Sequence, residues 1–242
     1  MNDFDNKTIA EIVAEDYRAA KIFESYKIDF CCNGNKKFDT AVKEKNIDPQ
    51  KIITELTSLQ KDNNNNAVDF KSWPLDLLAD YIEKKHHRYI EERTPEIKEY
   101  LAKLCQVHGN NHPELFEIND LFNQSAGQLA MHMKKEELIL FPYIRKIAAA
   151  KQKNEKVNPP QFGSVENPIS AMMIEHDVEG ERFKKINELS NNYIVPDDGC
   201  NTYQLTYSLL KEFEEDLHIH IHLENNILFP SALKLEKEMT AE

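Results

Sequence analysis

HMKKEELILFP at residues 132–142 and HIHLENNILFP at residues 220–230 carry His, Glu, Ile, Leu, Phe and Pro at identical offsets, 88 residues apart. In a helix, residues four apart lie one turn above each other, so each segment stacks a histidine on a glutamate. The apolar stripe of the first helix is Phe122, Leu129, Met133 and Leu140; that of the second is Phe213, Leu217, Ile221 and Leu228. His132, Glu136, His220 and Glu224 fall within those stripes and so face a core. A buried carboxylate costs several kcal/mol unless its charge is compensated, and metal ions supply that compensation. A buried histidine–glutamate hydrogen bond serving structure alone is the competing reading.

Outward from these segments, the chain has only 6 glycines, and long stretches place apolar residues three and four apart. That pattern predicts an all-α fold. Helices are expected near 75–106, 113–148, 166–191 and 202–237, forming an up-down four-helix bundle over 75–242. Ahead of it, Thr8 and Glu11 make a T-x-x-E capping box, opening a helix that carries Ile9, Ile12, Val13, Tyr17 and Ala20. Short helices flank the IDFCCNG turn at 28–34 and cover 48–60. The run KDNNNNAVDF at 61–70 has no helical stripe, so the division is a small helical domain over 1–62, a linker over 63–74 and the bundle. The stretch FPYIRKIAAAKQK, 141–153, reads as a solvated helix end.

The other two bundle helices offer histidines at matching stations. His176 sits among Ile169, Met172, Met173, Gly180 and Phe183, an inward stripe. On the first helix the choice lies between His86 and His87, and apolar spacing from Ile82 leans to His86. Four imidazoles and two carboxylates suit two metal ions, with Glu136 and Glu224 shared between them. Nitrogen and oxygen donors without thiolate point to iron or manganese, with zinc remaining open. Ferritin-like bundles place Glu three before His, whereas here His precedes Glu by four. His218 and His222 alternate with His220 and point off its face, towards solvent or supporting roles. Glu175 and Asp177 are candidates to accept the outward N–H of a metal-bound imidazole.

Composition bounds the partners. With 30 basic against 42 acidic residues the net charge is −12, which disfavours nucleic acid and anionic membrane. No run reaches the ~20 apolar residues of a membrane span. The polar, acidic start and four irregularly spaced cysteines, Cys31, Cys32, Cys105 and Cys200, fit a reducing, cytoplasmic setting. Cys31 and Cys32 are adjacent, a geometry that strains a disulfide, so redox chemistry, partner contact or simple burial are the candidate roles. A module of about 60 residues is near the lower limit for an independent core, which makes a homodimer through it plausible.

Taken together, DFCCNG (29–34), HHRYI (86–90) followed by TPE, VHG (107–109), the 132–142 segment, EHD (175–177) and HLENNILFP (222–230) resemble the repair-of-iron-centres (RIC) family. Those hemerythrin-like di-iron proteins restore iron–sulfur clusters damaged by oxidative and nitrosative stress. The resemblance implies His87, His132, Glu136, His176, His220 and Glu224 as ligands of two non-haem irons, carboxylate-bridged, with an oxo group able to complete the bridge. It selects His87 over His86 because the family's ligand stands eight positions before the proline that is Pro95 here. It also implies that the Cys-Cys turn serves redox or partner contact; Cys105 and Cys200 carry no such support. Oxygen-carrying hemerythrins are similar but use five histidines, so their function does not transfer.

The expected function is repair by iron donation to iron–sulfur proteins whose clusters have lost iron, without conventional turnover. The alternatives are an oxygen- or nitric-oxide-binding sensor or reservoir in which iron stays bound, and a nitric oxide reductase acting at the di-iron site.

Overall fold

The computed structural model describes residues 4, 6–61 and 68–240. No strand forms among them, and isolated bridges join only Thr8 to Lys37 and Val157 to Thr240. The chain is all-α, and no described helix is long and apolar enough to cross a membrane. Two compact units emerge, one of Met1–Leu78, Ile147–Asn158 and His218–Glu242, the other of Ala79–Lys146 and Pro159–Leu217.

In the first unit, α1 (Ile9–Glu15) opens on the expected capping box. The Glu11 N–H donates to Thr8 Oγ1 at 3.1 Å, and the Thr8 N–H donates to Glu11 Oε2 at 2.8 Å. The helix is shorter than its apolar pattern suggested: Asp16 is extended, and its carboxylate accepts both the N–H and the guanidinium of Arg18. Such local side-chain bonding competes with the helical ladder, so Tyr17 lies outside α1 and Ala20 belongs to α2 (Ala19–Ser25). With α3 (Phe38–Glu44) and α4 (Pro49–Lys61), these helices bury Ile9, Ile12, Val13, Phe23, Phe38, Val42, Ile52 and Leu56. The asparagine run of the expected linker, residues 63–66, lies outside the described residues. Just after it, Phe70–Ser72 forms one 3-10 turn, with Phe70 buried between the rings of Tyr17 and Trp73.

Four helical stretches contribute to the second unit through their residues within Ala79–Lys146 and Pro159–Leu217. The first is α5 (Leu75–Tyr81), a π-helical turn Ile82–His87, then α6 (Arg88–His108). Next come α7 (Glu114–Lys135), a π-helical turn Glu136–Leu140 and α8 (Phe141–Lys153), followed by α9 (Glu166–Leu189). The last is α10 (Asn201–Leu223), which belongs to this unit up to Leu217; its end, a third π-helical turn, Glu224–Leu228, and α11 (Phe229–Met239) belong to the first unit. The short connection at 109–113 makes α6 and α7 antiparallel neighbours. Within the unit, Phe183 stacks on Phe213 at 5.5 Å and Phe122 meets Phe213 edge-on at 5.3 Å, joining α7, α9 and α10 in one aromatic core. The 141–153 stretch is not a solvated end. Phe141, Tyr143, Ile144, Ile147, Ala148 and Ala150 are buried, because helical periodicity continues through a segment whose lysines draw the eye.

Candidate metal centre

Three of the four helices in the second unit bring an imidazole to Glu136, which is fully buried and opens a π-helical turn. His87 Nε2 and His132 Nε2 each stand 3.4 Å from Glu136 Oε2. His176 Nε2 is 3.1 Å from His132 Nε2, and the donor atoms of His132, Glu136 and His176 lie within 4.8 Å of one another. Two nitrogens bound at right angles to one ion at about 2.1 Å stand about 3.0 Å apart, the separation seen here.

The far side of each ring fixes which nitrogen carries the proton. His132 Nδ1 donates to Glu175 Oε2 at 2.8 Å, and His87 Nδ1 donates to Glu137 Oε1 at 3.1 Å. A carboxylate only accepts, so in the neutral rings Nε2 keeps its lone pair and aims it at Glu136. Partial burial works against the charge on Glu137 and Glu175, yet Lys134 with His87, and Lys135 with His132, hold both carboxyls below their usual range. This carboxylate–histidine pairing orients a ligand and raises its basicity. Glu179 is a contrasting case: it is nearly as buried, but Arg182 and Ser125 engage it directly, and it needs no ion.

The first unit holds the second motif. His220 Nε2 lies 3.1 Å from Glu224 Oε1, both fully buried, and Glu224 again opens a π-helical turn. His222, for which alternation with His220 suggested a solvated or supporting role, is buried. Its Nδ1 lies 3.3 Å from the Phe30 carbonyl, and burial pushes the imidazole down to about 4. Asn226 also reaches the carbonyl of Cys31, at 3.2 Å. The Cys-Cys turn is thus seated on the helix that carries His220 and Glu224. His218 is half-buried and contacts Glu24.

Both histidines of the 86–87 pair are buried, but they face different partners: His86 Nδ1 meets Asp216 at 2.9 Å, while His87 meets Glu136. The π-helical turn explains why apolar spacing leaned the other way. It inserts one residue per turn, so the position in phase with Ile82 moves on from His86 to His87. Met173, placed on the inward stripe of α9, is 43% exposed, and Asp177 is exposed, whereas Glu175 does accept from His132. Sequence reasoning overlooked Glu137 and Asp216. It also passed over Cys200, whose Sγ lies 3.3 Å from His108 Nε2; that contact holds the thiol down to about 7.

The hemerythrin HHE cation binding domain matches residues 78–232, and the ScdA_N model, described as a domain of unknown function, matches residues 5–60. The iron–sulfur cluster repair protein ScdA of Staphylococcus haemolyticus is 32% identical over 91% of this chain and 95% of its own. The probable iron–sulfur cluster repair protein of Haemophilus influenzae is 32% identical over 95% and 98%. The iron–sulfur cluster repair protein YtfE of Yersinia pseudotuberculosis is 31% identical over 97% and 100%. The chain belongs to this hemerythrin-like family. Membership fits the geometry: the buried His and Glu groups suit a metal site within the HHE domain, and the donors around Glu136 are nitrogen and oxygen.

Proposed function

We propose that the chain repairs iron–sulfur clusters damaged by oxidative or nitrosative stress, drawing on two non-haem irons held by His87, His132, Glu136, His176, His220 and Glu224. Glu136 and Glu224 would supply the carboxylates shared between the ions. The supporting observation is the pair of Nε2 lone pairs aimed at Glu136, with each Nδ1 proton given to an outer carboxylate. The duplicated His-x-x-x-Glu motif, with its second pair equally buried, supplies the remaining donors. Iron held by neutral imidazoles and carboxylates, without thiolate, is exchangeable and serves as cargo for a cluster that has lost iron. Glu137 and Glu175 orient the imidazoles and raise the basicity of Nε2, so that the donors are ready to rebind metal.

The clients are iron–sulfur proteins in the cytoplasm, and oxygen or nitric oxide are the small molecules that reach the site. The bundle over 75–242 carries the metal, and the 1–62 module, through Cys31 and Cys32, provides redox or partner contact and self-association. The test is metal analysis with visible absorption on anaerobically purified protein, followed by incubation with an apo-cluster dehydratase. Two irons per chain, lost in His132→Ala and in His220→Ala, and recovered in the client are the expected results. Iron that stays put while its spectrum responds to gas would replace donation with sensing, and catalytic nitrous oxide formation would replace it with reduction.

A further inference from the structure

The Cys-Cys turn gathers a second set of donors with a different chemistry. Cys31 Sγ and Cys32 Sγ are 3.8 Å apart, and Asp29 Oδ1 is 3.4 Å from Cys31 Sγ. All three residues bring donor atoms within 4.8 Å of one another. A disulfide needs about 2.05 Å between sulfurs, so this arrangement is not one. Two sulfurs bound tetrahedrally at about 2.3 Å to a single ion stand about 3.8 Å apart, and a sulfur and an oxygen on the same ion stand about 3.6 Å apart. The observed spacings of 3.8 Å and 3.4 Å match two edges of such a tetrahedron.

The turn is held in this shape from outside. Asp29 Oδ1 accepts the N–H groups of Cys31 and Cys32, both at 3.0 Å, and Oδ2 accepts the Asn33 amide at 2.7 Å. The carbonyls of Phe30 and Cys31 are held by His222 and Asn226. Gly34 lets the chain pass close behind, since a Cβ there would sit 2.3 Å from the Phe30 carbonyl oxygen. Cys31 is buried, but Cys32 is half-buried and Asp29 is exposed, which leaves an approach from solvent.

We propose that Asp29, Cys31 and Cys32 form a cation site for a borderline-soft divalent metal ion such as zinc or ferrous iron. The site is separate from the six histidine and glutamate donors and does not rest on the function assigned to them. Binding forms two metal–sulfur bonds and one metal–oxygen bond and releases two thiol protons to water, with no change of oxidation state. Two thiolates and one carboxylate against a doubly charged ion leave one net negative charge, and the fourth position stays open to water or to a donor from another molecule. The protein alone favours the protonated form of Cys31: the neighbouring Cys32 and then burial, with the Asp29 charge beside it, push this thiol up. A cation offsets the repulsion between these groups and is bound at the cost of displacing the protons.

The test uses the full chain and two probes. With zinc at ten times its dissociation constant, alkylation followed by mass mapping should show Cys31 and Cys32 protected about tenfold. Cys105 and Cys200 should react unchanged, Cys200 serving as the reactive reference. Cobalt(II) should give thiolate-to-metal charge-transfer absorption, one ion per chain, because the histidine and glutamate donors contain no sulfur. That absorption should vanish in Cys31→Ser and Cys32→Ser, weaken in Asp29→Asn, and persist in Cys105→Ser, Cys200→Ser and His132→Ala. Equal alkylation with and without zinc, or absorption that survives both serine variants, overturns the site. The zinc arm needs no substitution, so a variant that fails to fold leaves the answer intact, and survival of the absorption in His132→Ala separates this site from the histidine–glutamate set.

Discussion

At the scale of single residues, an imidazole binds metal well only if its other nitrogen is occupied. Glu175 does this for His132 at 2.8 Å, and it is itself tied to Lys135. Glu175→Gln should therefore weaken metal affinity about 10–100-fold, as competition with a chelator would show, while helix content stays unchanged. Asp177→Asn, on an exposed side chain of the same helix, should leave affinity where it is. Unchanged affinity in Glu175→Gln would mean that the Nδ1 contact does not tune the ligand. Glu175 could be anticipated from sequence because an imidazole facing a core needs an acceptor behind it. Glu137 could not, since it follows Glu136 directly and a regular helix points neighbours about 100° apart. It reaches His87 through tertiary packing of α6 on α7, which no local pattern records.

Elements were legible where periodicity is regular and obscure where it breaks. The capping box at Thr8 and the ends of the long helices followed from side-chain chemistry and apolar spacing, within a few residues. The π-helical turns at Ile82–His87, Glu136–Leu140 and Glu224–Leu228 did not, because each adds a residue that a 3.6-residue period cannot anticipate. Each includes or begins at one of the six proposed donors. Glycine offers a quantitative test of what the elements require. At Gly34 an added Cβ would stand 2.3 Å from the Phe30 carbonyl oxygen and 2.9 Å from Ala10 Cβ, both parts of the packed turn. Gly34→Ala should cost roughly 1–3 kcal/mol of stability. Gly127, exposed within α7 with nothing near its Cβ position, is the matched control: Gly127→Ala should add about 0.5–1 kcal/mol. Urea unfolding of the full chain measures both, and equal effects of one sign would show that the close approach at Gly34 is not a constraint.

Over the whole molecule, a net charge of −12 sets a surface that repels polyanions, while the buried carboxylates set the demand for cations inside. That demand links metal to folding: an ion that binds the native chain and not the unfolded one stabilises it by about 2.7 kcal/mol at one hundred times its dissociation constant. The loaded protein should therefore unfold at higher denaturant than the chelated one. Glu136→Gln separates this linkage from ordinary packing. The amide keeps the shape of the side chain and removes the charge, and a buried amide costs less than a buried carboxylate. The substituted chain, without metal, should unfold no earlier than the unsubstituted chain without metal, yet it should gain almost nothing when iron is added. Were Glu136 simply a structural hydrogen-bond acceptor for His87 and His132, the outcome would reverse: the metal-free midpoint would fall, and the response to iron would be unaltered. The two midpoints, each read with and without iron, decide between a carboxylate placed for a cation and one placed for its neighbours.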